Sequence, residues 1–265
     1  MGFYVNRERG PEYLTSNLLA QTPHCFSTRF GGVSDGALSS LNLGVHRGDR
    51  FRNVWENYRR LGEAVGFSPK HTVFTKQVHS DIVRRVGCAE RGQGLILPVP
   101  EDCDGLITDE PEVALTVFSA DCTPILLFDP VRNAIGAVHA GWRGTAAGIV
   151  RVAVEKMQRE FGCMPEHIRA AIGPCISQCC FQTDTDVPDA MRAALGAEAE
   201  ASLQRDGDKY YVNLKTLNAC WLRRSGVEKI DISTDCTACQ PERFWSHRRV
   251  GNRRGSLAAV IMLKK

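Results

Sequence analysis

The stretch TPILLFDPVRNAIGAVHAGWRGTAAGIV, Thr123–Val150, decides the fold class. Two apolar runs, Pro124–Phe128 and Ala134–His139, flank Asp129-Pro130-Val131-Arg132-Asn133. Those five residues are a turn signal between strands. The second run stops at His139 and passes through Ala140-Gly141-Trp142-Arg143-Gly144 into a helical pattern over Ala146–Phe161. There Val150, Val154, Met157 and Phe161 form one apolar stripe, and Arg151, Glu155 and Arg159 fall on another face. A hairpin running straight into a helix is not βαβ alternation, and it predicts an α+β fold with mixed sheets rather than a Rossmann fold.

The flanking sequence repeats this mixture. Strands are expected at residues 24–30, Gly105–Thr108, Val113–Ser119, Ile168–Ile172, Tyr210–Val212, Lys229–Ile232 and Leu257–Leu263. Helices are expected at Asn53–Val65, with Asn53 as N-cap and Gly66 as stop, near Pro188–Leu195, and at Leu214–Arg224. Between the first strand and the first helix lies GGVSDGALSSLNLGVHRGD (31–49), a long loop with few apolar anchors, which is often functional. There is no G-x-G-x-x-G and no Walker A motif; GWRGTAAG lacks the Gly-Lys-Ser/Thr ending. We expect one domain over residues 1–265.

Composition narrows the function classes. Of 265 residues 43% are hydrophobic and 24% charged, and 33 basic residues nearly balance 30 acidic ones for a net charge of +3. That balance does not point to a nucleic-acid or membrane binder. No apolar run approaches the ~18 residues of a spanning helix. The N-terminal MGFYVNRERGPEYL has charges and no apolar core of an export signal, so a cytoplasmic location is expected. In that compartment the 11 cysteines are expected to be reduced, serving as core residues, metal ligands or nucleophiles.

One cysteine stands out. With the hairpin centred on Pro130–Val131, paired residue numbers sum to about 261 and Cys122 faces His139, with Cβ atoms about 4.5–5.5 Å apart. Gly141 and Gly144 let the backbone come close to a ligand. Thr145 is a candidate helix N-cap, and with Arg143 beside it the helix start suits an anion. His79, in TKQVHS, offers a third ligand. A His2Cys set with an open position is a catalytic zinc arrangement, while the same set with an axial Met suits copper. Without metal, Cys122 and His139 read as nucleophile and base. Asp121 is read as a base, as an orienter of a ligand histidine, or as a turn cap. Cys236 and Cys239 form a C-x-x-C that would need two more ligands from Cys175, Cys179 or Cys180 to hold a structural zinc; reduced core or loop cysteines are the simpler reading. HRRVGNRR at 247–254 could touch phosphate or nucleic acid, but flanked by strand and without a wider basic excess it reads as a solvated hairpin.

The motifs TRFGGVSDGALSSLNLGVHRGD, TKQVHS, DGLITD, SADCTPILLFDP, AVHAGWRGT, AIGPCISQCC and FWSHRR, in this order, resemble those of the laccase-domain (multicopper polyphenol oxidase-like) family, over about residues 25–263. The resemblance implies a layered α/β/β/α sandwich with mixed sheets, similar to the cysteine hydrolase fold. It also implies one zinc on His79, Cys122 and His139, with copper as the second choice. Members are described as purine nucleoside phosphorylases acting on adenosine, inosine, guanosine and S-methyl-5′-thioadenosine, with adenosine deaminase activity, and some bacterial ones as peptidoglycan editing factors. The implied partners are therefore purine nucleosides and phosphate, and the phosphorolysis so implied makes Arg29, Asn42 and Arg143 candidates for holding phosphate or ribose, with Arg29 and Asn42 equally suited to pinning the 31–49 loop. This sequence departs from the family pattern at Phe181-Gln182, where Tyr-Glu is frequent. It departs again at Arg248-Arg249-Val250 and Arg253-Arg254-Gly255, which replace an Arg-Arg-Asp…Thr-Gly-Arg pattern.

Overall fold

Along the strand Thr123–Asp129 every residue is buried, and alternation divides the side chains between two cores. Ile125 and Leu127 pack on one side, Leu126 and Phe128 on the other. A strand covered on both faces reads as a continuous apolar run. In the computed structural model, which describes residues 2–265, this strand lies inside a six-stranded sheet. The order across that sheet is Lys229–Ile232, Arg169–Ile172, Thr123–Asp129, Ala134–Ala140, Gly105–Thr108, Val83–Arg85. A second six-stranded sheet runs Phe3–Asn6, Tyr13–Ser16, His24–Ser27, Leu257–Ile261, Ala114–Ser119, Thr72–Phe74. Both are mixed: most neighbours are antiparallel, while Thr72–Phe74 with Ala114–Ser119, Val83–Arg85 with Gly105–Thr108, and Arg169–Ile172 with Lys229–Ile232 are parallel. A small third sheet joins Gln182–Thr183, Lys209–Val212 and Leu203–Asp206.

The cores define the layers. Leu126, Phe128, Ile135 and Ala137 from the first sheet meet Phe26, Leu115, Val117 and Ile261 from the second, so the two sheets are stacked. On the far side of the first sheet, Ile125, Leu127 and Val138 pack under the helices Ile149–Phe161, Asp186–Leu195 and Leu214–Arg224 through Val150, Val154, Met157, Met191, Leu217 and Trp221. On the far side of the second, Cys25, Ala258 and Val260 meet Val54, Tyr58 and Leu61 of the helix Phe51–Val65. The α+β reading and the α/β/β/α layering therefore hold.

Two connections from the second sheet into the first matter for the site. One, between Thr72–Phe74 and Val83–Arg85, carries His79; the other, between Ala114–Ser119 and Thr123–Asp129, carries Cys122.

Several details differ from the sequence reading. The hairpin pairs Asp129 with Ala134 and Pro124 with His139, so it is centred one residue later than expected. The cause is Asp129, whose Oδ1 accepts from the N–H groups of Val131 (2.8 Å) and Arg132 (3.1 Å) and folds a four-residue turn closed by Asn133 at φ 50°. Cys122 is thus not the ladder partner of His139. Because the pairing shifts by two residues, the expected faces are kept.

The helix after the hairpin is two helices. Trp142–Ala147 begins at Gly141 and ends at Gly148, whose φ of 75° turns the chain before Ile149–Phe161. Thr145 is therefore not an N-cap; it is buried within the first helix, its hydroxyl bonded to Asn218 Nδ2 and its carbonyl to Trp221 Nε1. Asn53 likewise lies one turn inside its helix, and Arg50 occupies the cap position. The stretch 247–254 is not a hairpin: His247–Val250 forms a single helical turn. The short strands Phe3–Asn6, Tyr13–Ser16, Thr72–Phe74 and Leu203–Asp206 were not anticipated, being three or four residues each. Among the described residues no helix is long and apolar enough to cross a membrane.

Candidate metal centre

The site begins with a buried carboxylate. Asp104 immediately precedes the strand Gly105–Thr108, which pairs with Ala134–Ala140 so that Gly105 faces Val138. The next pair outward is Asp104 and His139: the His139 N–H donates to the Asp104 carbonyl (2.7 Å), and His139 Nδ1 meets Asp104 Oδ1 at 2.8 Å. The N–H groups of Val78 and Ser80 and the Ser80 hydroxyl donate to Asp104 Oδ2, and the His79 N–H donates to Oδ1, all within 3.0 Å. Burial alone would raise the Asp104 pKa, but the His139 and Ser80 hydrogen bonds hold it at about 2. The ionised carboxylate thus folds the 78–80 turn, with His79 at φ 63°, and fixes the His139 ring with Nε2 free.

Cys122 enters from the second crossover. Asp121 before it adopts φ 94°, and three other segments hold that strained residue. Its carbonyl accepts from Ile176 N–H (2.9 Å), Oδ1 from the Thr237 hydroxyl (2.6 Å) and Oδ2 from Arg248 N–H (2.6 Å). Asp121 is therefore an anchor for the Cys122 turn. The carboxylate that orients His139, one of the expected ligands, is Asp104.

The three expected ligands come together. Cys122 Sγ is 3.7 Å from His79 Nε2, the two imidazole rings cross at 76° with centroids 5.0 Å apart, and the three donor atoms lie within 4.8 Å of one another. Burial pushes the Cys122 thiol up, but His139 and His79 outweigh it and lower its pKa; Cys122 and Asp104 in turn raise that of His139. Gly141 leaves the space: a Cβ there would sit 2.6 Å from His79 Cδ2 and 3.3 Å from Cys122 Sγ. A borderline-soft cation accepts this donor set in a tetrahedral arrangement with one position open, and a carboxylate behind a ligand histidine is its usual support.

The surrounding cations are only partly those expected. Arg143 follows Gly141 into the first helical turn, exposed, its guanidinium 4.2 Å over the Trp142 ring. Arg29 is occupied elsewhere: it donates to the carbonyls of Ser39 and Pro241 and stacks 3.7 Å over Trp245. Asn42 is fully buried, bonded to Gly44, Asp49 and Ser256. Both hold the 31–49 loop.

Arg254, from the 247–254 stretch, and Arg47, from the glycine-rich loop, form a basic pair beside the Cys122 turn. Arg254 lies within electrostatic reach of Arg47, Asp121 and Cys122, and burial together with Arg47 pushes its pKa down to about 10. Its Nε is buried without a hydrogen-bond partner. Arg47, held by Ser256 Oγ at 3.2 Å, lines a cavity of about 670 Å³ with Gln77, Phe74, Phe118, Leu95 and Val99. None of the three proposed ligands lines that cavity; Arg47 connects it to the basic pair. The sequence signal for Asp104 was its place opposite His139, hidden because the paired strands are separated by other elements. Arg47 sat in the glycine-rich loop without a distinguishing neighbour.

Residues 23–264 match the family described as multi-copper polyphenol oxidoreductase laccase. The chain is 35% identical over 244 residues to the purine nucleoside phosphorylase YlmD of Bacillus subtilis, covering 91% of this chain and 88% of that protein. It is 38% identical to the YlmD of Geobacillus stearothermophilus, over 89% of this chain and 88% of that protein. The crystal structure of Geobacillus stearothermophilus YlmD superposes with a TM-score of 0.91 at 35% identity, covering 98% of each chain. That of a Bacillus licheniformis hypothetical protein, YfiH, gives 0.93 at 32% identity over 98% and 99%. On sequence and on fold, the chain belongs to the multi-copper polyphenol oxidoreductase laccase family, whose similar members here carry the name purine nucleoside phosphorylase.

Proposed function

We propose that the chain is a zinc-dependent purine nucleoside phosphorylase, converting a nucleoside and phosphate to base and ribose 1-phosphate. The observation that carries this reading is the preorganised His79, Cys122 and His139 group, supported by Asp104 and flanked by the cationic pair Arg47 and Arg254. The cavity of about 670 Å³ beside Arg47 has the size and mostly apolar lining of a small-molecule site. A bound zinc would supply Lewis acidity toward an oxygen or nitrogen of the substrate. The protein's own residues divide the rest. Arg254 and Arg47 hold the phosphate anion, and Arg143 meets it from the helix start. Phe74 and Phe118, edge to face at 4.9 Å, offer an apolar wall to the purine. Arg29 and Asn42 act at one remove by fixing the 31–49 loop. Adenosine, inosine, guanosine and S-methyl-5′-thioadenosine are the proposed substrates, with deamination of adenosine as a second reaction at the same centre.

Incubation of the metal-replete protein with inosine or adenosine should release base only when phosphate is present, with one ribose 1-phosphate per base. Base release independent of phosphate, or none at all, overturns the proposal.

A second reading has an observation of its own. Cys122, His139 and Asp104 are also arranged as nucleophile, base and orienting carboxylate, with a lowered thiol and a raised imidazole. A metal-free hydrolase acting on a peptidoglycan precursor would use that triad, and it would keep its activity after chelation. Copper is less well served. Met157 and Met191 lie in the helical core and Met262 under the helix Phe51–Val65, while Met164 is exposed.

A further inference from the structure

Four more cysteines converge outside this centre. Cys180 Sγ lies 3.3 Å from Cys239 Sγ, Cys179 Sγ lies 3.6 Å from Cys239 Sγ and 3.8 Å from Cys180 Sγ, and with Cys236 all four sulfurs lie within 4.8 Å of one another. None is in a disulfide. Sulfurs at the corners of a tetrahedron around a zinc, each about 2.3 Å from it, stand about 3.8 Å apart.

The backbone is arranged for thiolate. Cys236 opens a C-x-x-C turn, and its buried sulfur accepts the Ser177 N–H at 3.3 Å, with the N–H groups of Ala238 and Cys239 facing it as well. Four sulfurs this close cannot all ionise without a cation between them. Positive charge lies around the group. The Arg248 guanidinium donates to the Cys180 carbonyl, Arg249 Nε to the Ala238 carbonyl, and Lys215 Nζ to Ser177 Oγ and the Asp235 carbonyl.

The same segments reach the catalytic side. Cys175 and Cys236 form an isolated parallel bridge; Ile176, Thr237 and Arg248 are the three residues that grip Asp121. The cysteine cluster thus joins two loops whose other ends fix the turn carrying Cys122.

We propose that Cys179, Cys180, Cys236 and Cys239 form a second, structural metal site that takes zinc or a similarly soft divalent cation as a tetrathiolate and braces the Cys122 turn. Binding forms four metal–sulfur bonds and releases one proton for each thiol still protonated, leaving a dianionic centre among Arg248, Arg249 and Lys215.

The test removes the first centre and keeps the cluster intact. The His79→Ala/Cys122→Ala protein, reduced and stripped of metal under anaerobic conditions, is titrated with Co²⁺ and then with Zn²⁺. One Co²⁺ per chain is expected, with intense thiolate-to-cobalt charge-transfer bands and tetrahedral ligand-field bands, both abolished by one equivalent of Zn²⁺. In the wild-type background Cys236→Ser/Cys239→Ser should lose one metal equivalent and retain the other. Absence of thiolate–cobalt bands in the folded, fully reduced double variant overturns the proposal. So does a disulfide among the four cysteines in protein isolated anaerobically under reductant.

Discussion

His139 Nδ1 and Asp104 Oδ1 stand 2.8 Å apart, and the same carboxylate collects the N–H groups of Val78, His79 and Ser80. One side chain therefore sets the ring of one proposed ligand and the backbone of another. Replacing such a supporting carboxylate behind a metal-bound histidine typically costs about 10–100-fold in affinity or activity. Asp104→Asn should lose zinc affinity by at least about that much, because the amide would also turn a donor toward donors; competition with a chromophoric chelator measures it.

Acid should act through the same group. The folded-state pKa of Asp104 is depressed to about 2, below its unfolded value near 4. Its contribution, on the order of 2 kcal/mol, is fully present above about pH 4 and is lost as pH falls toward 2. Urea unfolding of the metal-free protein between pH 2 and 5 should show this slope, and Asp104→Asn should flatten it.

Metal binding should release protons. In the metal-free centre Cys122 is lowered and His139 raised, each by the other, which favours a thiolate beside an imidazolium near neutral pH. A metal needs the thiolate and the neutral ring, so about one proton leaves from His139 per metal bound. Calorimetry in buffers of different ionisation enthalpy counts it. A count near zero would mean that a thiolate already stands beside a neutral ring before the metal binds.

Gly141→Ala tests the space at the centre. Gly141 has φ −68°, so alanine fits the backbone, yet its Cβ would stand 2.6 Å from His79 Cδ2. Overpacking of this kind costs about 1–3 kcal/mol, here concentrated on the His79 ring. Zinc content should fall sharply while the far-UV circular dichroism spectrum stays unchanged.

The basic pair should govern phosphate. Arg47→Ala and Arg254→Ala should each raise the KM for phosphate by about tenfold or more, the scale of one charge-assisted hydrogen bond. The KM for nucleoside should move less with Arg254 than with Arg47, which also lines the cavity. Steady-state kinetics with each substrate varied in turn separates the two.

Much of this arrangement was legible in the residues. The hairpin, its apolar faces and the helix Leu214–Arg224 follow from periodicity, and the grouping of His79, Cys122 and His139 follows from motif chemistry. What could not be read was set by partners distant in the chain. Asp129 recentred the turn through hydrogen bonds that no period records. Asp104 meets His139 across a ladder whose strands are 25 residues apart, from Thr108 to Ala134. Arg29 and Asn42 read as open to a ligand, and only packing shows them engaged within the protein. For Cys236 and Cys239 the spacing and the candidate partners Cys175, Cys179 and Cys180 are legible, but only the fold of the 175–182 loop selects the vicinal pair Cys179 and Cys180.

The position of His79 and Cys122 on the two sheet-to-sheet crossings has a mechanical consequence. A cation gripped by both crossings, and by His139 from within the first sheet, would be a rivet through the stacked pair. Any sliding of one sheet over the other would pull its ligands apart, so metal affinity becomes a gauge of how firmly the sheets seat. Trimming Phe26 or Leu126 in the seam between them should then loosen the metal without touching a ligand.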